Sequence, residues 1–260
     1  MGKIISFIYG SVAYTIFLGT FLYAIGFVGN IGVPKSIDSG DAGPIGQALL
    51  VNTLLLGLFA VQHTVMARQG FKRILINIVN PAVERSTYVL ATNVALILMF
   101  RLWQPMPEAV WSIQSSAGQA VMHGIFALGW VVVLLATFMI HHFDLFGMRQ
   151  VYLHAKGEAY TDVGFRTPGL YRYMRHPIQV GFLIAFWAAP TMSMGHLLFA
   201  AATTGYIFIA VKMFEEKDLL REFPRTYGNY MEQVSGFIPT GQYKEPSSSA
   251  AEASSSTTAS

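Results

Sequence analysis

The sequence predicts an all-α integral membrane protein: four transmembrane helices, then a C-terminal helical hairpin, five to six spans in all, with both termini cytoplasmic. Three observations predict it. Only 12% of the 260 residues are charged and 53% are hydrophobic, whereas a soluble domain carries roughly 25% charged residues. The charges are missing in runs long enough to cross a bilayer, which takes about 20 mainly apolar residues. The Lys and Arg that remain gather in alternate loops.

The runs come in order. Ile4–Pro34 holds no Asp, Glu, Lys or Arg and is the first span. It is too long and too uniformly apolar for a cleaved signal peptide, and no small-x-small cleavage site follows it. Ala42–Ala67 is the second span. Ser86–Phe100, extended by Leu102 and Trp103 around Arg101, is the third. Ala109–Phe143, with its apolar centre at Ala120–Ile140, is the fourth. Pro177–Val211 is too long for one span and carries Pro190 and Gly195 in its middle. It reads as a hairpin, 178–191 and 196–213, turning at Thr191–Gly195, each arm short for a full crossing. Residues 1–245 form a single membrane-embedded domain. The tail Pro246–Ser260, built of Ser, Ala and Thr with one Glu, cannot bury a core and is expected to be disordered.

Arg68, Lys72, Arg73 and Arg85 fall in one loop, and Arg149, Lys156, Arg166, Arg172 and Arg175 in another. Lys212, Lys217, Arg221, Arg225 and Lys244 fall near the C-terminus, and Lys3 precedes the first span. Only Lys35 and Arg101 lie in the remaining loops. The positive-inside rule then places the basic segments in the cytoplasm. This accounts for the net charge of +3 without a nucleic-acid partner, which would need Lys and Arg clustered on a solvated face. The absence of cysteine removes disulfides, thiolate metal sites and a Cys nucleophile.

The topology filters the chemistry. His123 and His196 fall at the outer ends of helices. His63, His141, His142, His154 and His176 fall at the cytoplasmic ends or in cytoplasmic segments, so a site is expected at that mouth. The densest constellation is Tyr171-Arg172-Tyr173-Met174-Arg175-His176-Pro177, followed by Gly181 and Trp187. Thr167-Pro168-Gly169 before it signals a turn. Pro177 suits the first turn of a helix, where its missing N–H costs nothing. Arg175 and His176 then sit at a helix N-terminus, whose free N–H groups can bind an anion. Gly181 lets a ligand or a neighbouring helix approach closely. Lys212, Glu215, Glu216 and Asp218 follow the second arm, and because a hairpin brings its ends together, the Glu pair is expected beside Arg175-His176. An interfacial anchor of aromatic and basic residues, with an exposed salt bridge worth little, is the plainer reading of the same residues.

Arg175-His176-Pro177, Gly181, Trp187, Glu215-Glu216, Gly228, Tyr230 and Phe237-Ile238-Pro239 together resemble the C-terminal signature of the isoprenylcysteine carboxyl methyltransferase family. These are integral-membrane enzymes that use S-adenosyl-L-methionine (SAM). Gln179 departs from the pattern, in which many members have Tyr. Membrane sterol reductases using NADPH have a similar Arg-His-Pro motif. The stretches His141–Val151 and Gln62–Arg68 are similar to a bacterial branch of the family that makes dimethyl sulfide from methanethiol and SAM.

The resemblance implies SAM-dependent S-methylation of a small thiol, methanethiol, at the cytoplasmic face of a bacterial inner membrane. SAM would be held by the part of the chain at about 141–240. His176 and backbone N–H groups would meet its carboxylate or ribose. Glu216, and less surely Glu215, would meet ribose hydroxyls or the amino group. Tyr171, Tyr173 and Tyr230 would border the adenine or the sulfonium, with Arg175, Pro177 and Gly181 completing the set. A small alkyl thiol has a pKa above the roughly 8.5 of cysteine, so the acceptor needs a base or a positive field. His142, His63 and Asp144 are the base candidates and Arg149 the candidate for stabilising the thiolate, oriented by Asp144–His142 or Asp144–Arg149 pairing. No G-x-G-x-x-G loop is present, which excludes a soluble Rossmann methyltransferase. Three other readings stay open: methylation of an isoprenyl or lipid thiol or carboxyl, an NADPH-dependent reductase, and a haem protein ligated by His63 and His142. No metal site is expected, since adjacent helical residues such as His141 and His142 point about 100° apart.

Overall fold

The computed structural model describes residues 2–244; the expected tail at 246–260 lies outside them. Helix α1 (Lys3–Gly29) ends where Asn30 turns left-handed, at φ 55°. Helix α2 (Ile45–Ala67) is followed by the short basic α3 (Gln69–Leu75). A 3₁₀ turn (Pro81–Val83), capped by the Asn80 side chain, runs into α4 (Glu84–Leu102). After strand β1 (Ala109–Ser112), α5 (Ser116–Met139) starts with Ser115 accepting the Gly118 N–H. The chain then makes a tight elbow through α6 (His142–Leu145) and α7 (Met148–Lys156). The elbow depends on Gly147. Its φ is +86°, and a Cβ there would meet Ser86 Oγ at 2.7 Å.

The hairpin is α8 (Pro177–Trp187), β2 (Thr191–Ser193) and α9 (Met194–Ala210). A π-helical turn (Val211–Glu215) leads into α10 (Glu216–Glu222), and Pro224 opens α11 (Pro224–Gln233). Among the described residues, five helical segments are long and apolar enough to span a membrane: α1, α2, Pro81–Leu102, α5 and Met194–Glu222. Much of their surface faces outward as bare Ile, Leu and Val, among them Ile8, Leu22, Leu54 and Leu128. The chain is a multi-pass, all-α membrane protein.

Helix α8 has 11 residues, about 16 Å of a hydrocarbon core about 30 Å thick. The arm nevertheless runs the length of the hairpin, because His176 at its start contacts Glu216 and Ser193 at its end caps α9. The remainder, Ala188–Ser193, is not helical: it turns tightly at Ala188, where the Ala189 N–H donates to the Trp187 carbonyl, and then enters β2. Irregular backbone at that depth is tolerated only where protein covers it. Ala188 and Ala189 are buried; the Trp111 indole donates to the Ala189 carbonyl and the Ile113 N–H to that of Pro190. The expected turn therefore begins earlier than Thr191, with β2 pairing antiparallel to β1 across Ser112 and Thr191.

Two cores hold the bundle. Phe27, Met99, Trp103, Phe126, Trp130, Phe186 and Phe199 fill the end nearest the strands. Tyr227, Tyr230, Val234 and Tyr243 pack with Phe165 and Phe223 at the other end. Helices α5 and α8 meet glycine to glycine: a Cβ on Gly181 would lie 2.7 Å from the Gly129 carbonyl oxygen. Small residues let membrane helices approach this closely.

Candidate active site

The polar groups of the bundle collect at the end where α2, α9 and α5 finish and α4 and α8 begin. His123 and His196 lie at the opposite end, where they line a cavity with Asn30 and Thr191. His176 is the N-cap of α8 and Pro177 its first residue, as the sequence predicts. The preceding turn, Gly169–Arg172, is held from below by Tyr230, whose hydroxyl donates to the carbonyls of Tyr171 and Met174. Tyr230 is buried in this role rather than lining an adenine site. Tyr173 is exposed and stands apart.

The Glu pair lies beside Arg175-His176, as expected of the ends of a hairpin, and the contact is buried rather than an exposed salt bridge. Glu216 Oε1 accepts from Arg175 Nε (3.2 Å), Arg175 Nη2 (2.5 Å) and His176 Nε2 (3.1 Å). Its Oε2 accepts from Lys212 Nζ (3.0 Å), one turn earlier. Arg175 Nη1 donates to the carbonyls of Met231 and Val234. Glu216 and Arg175 are thus saturated by the protein, each side chain only 6% exposed. Glu215 differs. Gln179 Nε2 donates to its Oε2 at 3.0 Å, and its Oε1 stands 3.4 Å from His176 Nδ1, while 43% of the side chain remains exposed. Glu215 thus keeps an exposed carboxylate face, whereas both oxygens of Glu216 are taken up by the protein.

The π turn makes this possible. Consecutive residues of a regular α-helix diverge by about 100°, yet Glu215 and Glu216 flank the two nitrogens of one imidazole. Burial pulls the His176 pKa down, but the hydrogen bonds and charges of Glu215 and Glu216 outweigh it and hold it above the ordinary histidine value. The ring lies between two carboxylates, which favour its charged form. Tyr171 borders the same space; burial, then the nearby Glu215 charge, push its phenol pKa up.

One expectation is corrected here. The N–H groups of Arg175 and His176 are not free for an anion, because they donate to the carbonyls of Ser235 and Gly236 (both 3.0 Å). Of the two neighbours expected at Gly181, it is a helix, α5, that comes close.

The elbow holds the remaining predicted residues. Asp144 pairs with Arg149 (Nη1–Oδ1 3.1 Å) and not with His142. It also accepts from the Tyr160 hydroxyl (3.2 Å) and faces Arg85 at 3.6 Å. Arg149 further binds the Thr161 carbonyl and hydroxyl, so the pair fastens the loop after α7. His142 is closed. Thr137 Oγ1 gives its hydrogen to the Leu134 carbonyl (2.7 Å), so it accepts from His142 Nδ1–H (2.9 Å). Nε2 is then the lone pair that takes the Tyr14 hydroxyl (2.9 Å). Burial lowers the pKa of this neutral ring, and neither nitrogen is left for a proton transfer or a haem iron. His63 is held more loosely. Its ring stacks on Phe59, and a single hydroxyl, that of Tyr88, lies 2.9 and 3.0 Å from its two nitrogens, with Thr92 Oγ1 at 3.5 Å. It lies within electrostatic reach of Glu215.

Sequence reasoning passed over Gln179, Tyr14, Thr137, Arg85, Tyr88 and Tyr160. Gln179 was legible in part, since it stands three residues from His176 on the same helical face. Tyr14 and Thr137 carry no signal, because only the fold brings them to His142.

The chain is 52% identical over 239 residues to a Mycobacterium tuberculosis protein named Methanethiol S-methyltransferase, covering 92% of this chain and 98% of that one. It is 47% identical to a Crocosphaera subtropica protein of the same name, over 89% and 91% of the two chains. Nurim of Xenopus laevis is 28% identical over 61% of this chain and 58% of its own. No protein-family model and no solved structure matches the chain.

Proposed function

Since the chain belongs to the methanethiol S-methyltransferase family, we propose that it methylates methanethiol to dimethyl sulfide with SAM at the mouth formed by His176, Gln179, Glu215 and His63. Identity near one half over almost the whole chain carries this reading, and it favours a small thiol over a prenyl acceptor or a reductase.

SAM supplies, when bound, a methyl group on a sulfonium that is already a good leaving group. The donor residues fit it. Glu215 presents an accessible carboxylate suited to an ammonium or ribose hydroxyls, locked in place by Gln179 and His176. The unclaimed N–H groups of the first turn of α8 suit a carboxylate, above a His176 ring whose charged form the two glutamates favour. Glu216, Arg175 and Lys212 fix His176 from behind. The enzyme's part is chiefly to align and desolvate the reactants. His63 takes the thiol proton, since its two nitrogens share the Tyr88 hydroxyl, whereas each nitrogen of His142 has a partner of its own. Arg149 and Asp144 shape the wall by anchoring the loop at Thr161.

We also place this mouth on the cytoplasmic side of a bacterial inner membrane, since every Lys and Arg except Lys35 and Arg101 lies at or facing that end. Because the chain has no cysteine, single cysteines introduced at 159 and at 107 can be probed with a membrane-impermeant maleimide on intact cells. Labelling at 107 alone is expected; labelling at 159 alone overturns the orientation. Incubating membranes with SAM and methanethiol should release dimethyl sulfide into the headspace. Folded protein that binds SAM but makes none would remove the substrate and leave the donor.

A further inference from the structure

The two basic residues outside the basic segments, Lys35 and Arg101, are far apart in sequence and adjacent in space. Lys35 Nζ donates to the Arg101 carbonyl at 2.9 Å. That bond uses one of the three ammonium hydrogens and none of the Arg101 guanidinium. Among the described residues no carboxylate comes within ion-pair distance of either cation. Lys35 is partly desolvated, which lowers its pKa and makes an uncompensated charge there costly. Its backbone is fixed by Tyr23, whose hydroxyl donates to the Lys35 carbonyl (3.0 Å) and accepts its N–H (3.3 Å).

The pair stands at the rim of a groove of about 600 Å³ between α1 and α4, lined by Ile16, Gly19, Thr20, Ile97 and Phe100. The walls are apolar in effect, since Thr20 turns its hydroxyl hydrogen to the Ile16 carbonyl (2.8 Å). Gly19 leaves a notch, and a Cβ there would touch nothing within 4 Å. Both helices are membrane spans, so the groove opens to acyl chains and its rim lies at headgroup level.

We propose that this groove binds an anionic phospholipid, its phosphate between Lys35 and Arg101 and an acyl chain along α1 and α4 past Gly19. Charge complementarity selects the occupant. Two adjacent cations without a counter-charge attract a phosphate, and basic pockets between transmembrane helices bind anionic headgroups. A cation of this kind could otherwise only extend into water, which leaves the apolar groove beneath it unexplained. The site lies in the leaflet opposite the Glu215 mouth and does not rest on the methyl-transfer reading.

Native mass spectrometry of the full chain in detergent tests it, with phosphatidylglycerol and phosphatidylcholine titrated separately. One phosphatidylglycerol per chain is expected, preferred about tenfold or more over phosphatidylcholine. The K35Q/R101Q variant should lose the preference, and Gly19→Leu, whose Cβ meets nothing within 4 Å, should weaken both lipids. Equal binding of the two lipids, or a preference that survives K35Q/R101Q, overturns the proposal. So does displacement of the lipid by millimolar inorganic phosphate, which would make this a free-anion site. Circular dichroism and gel filtration check that the variants fold; if the double variant does not, Arg101→Gln, at an exposed position, replaces it.

Discussion

The hairpin mouth and the α6–α7 elbow use the same kinds of side chain to opposite ends. Each has a histidine, a carboxylate and an arginine, joined in one cluster at the mouth and held by separate partners at the elbow, where only the carboxylate and arginine pair. At the elbow every polar atom that matters is consumed: Asp144 by Arg149 and Tyr160, His142 by Thr137 and Tyr14. At the mouth Glu216 is consumed in the same way, but only to hold His176, and Glu215 is left with an open face. A site therefore needs both sorts of carboxylate, one that completes the scaffold and one that the scaffold presents. Composition does not distinguish them; the tally of hydrogen bonds does.

The sharpest way to break this contrast is to remove the scaffold carboxylate. Glu216→Ala leaves Arg175 buried without its partner, a change that costs about 3–5 kcal/mol. Thermal unfolding in detergent should show it as a large drop in melting temperature. His63→Gln should leave melting nearly unchanged and lower dimethyl sulfide turnover by about 10²-fold, the low end of what general-base removal costs. His142→Gln should cost turnover far less than that, and an equal loss in both would return His142 to the list of bases. Glu215→Gln should shift stability by less than about 0.5 kcal/mol, as surface substitutions do. In calorimetry it should weaken SAM binding about tenfold, the loss of one charge-assisted contact. If it melts like Glu216→Ala, the two glutamates do not differ in role.

The smallest effect is with pH. The folded pKa of His176 is raised, so its ion pairs contribute fully below about 6.5, the unfolded value. That contribution fades as pH rises through the folded value. SAM affinity should fall over the same window, and His176→Gln should abolish the step.

Most of the bundle was legible, because the charge-free runs of a membrane chain are set by the cost of burying charge, a property of each residue rather than of its neighbours. The helix start at Pro177 and the meeting of Glu215-Glu216 with Arg175-His176 were legible for a related reason: local backbone chemistry and hairpin closure fix them. What was hidden depends on distant partners. The rank of Glu215 against Glu216 turns on a π turn that no residue type announces, and the closure of His142 on a tyrosine 128 positions away. Gly181 showed that something comes close, but α5 rather than a ligand fills that space. The non-helical Ala188–Ser193 segment was hidden because an apolar run reads as helix until its hydrogen-bond partners in and beside β1 are known.

The pairing of Arg175 and His176 with Ser235 and Gly236 bears on how the protein is made. Arg175 is synthesised and threaded toward the bilayer well before Glu216, Met231 and Val234, the groups that neutralise and hold it, have emerged. Through that interval the hairpin's first arm carries an unshielded guanidinium and an imidazole with no carboxylates around it. The five long spans can already be in place, but the donor pocket has no floor until the chain has been extended past Gly236. The two N–H groups that open the hairpin are therefore paired only after residues 60 positions further on have been made.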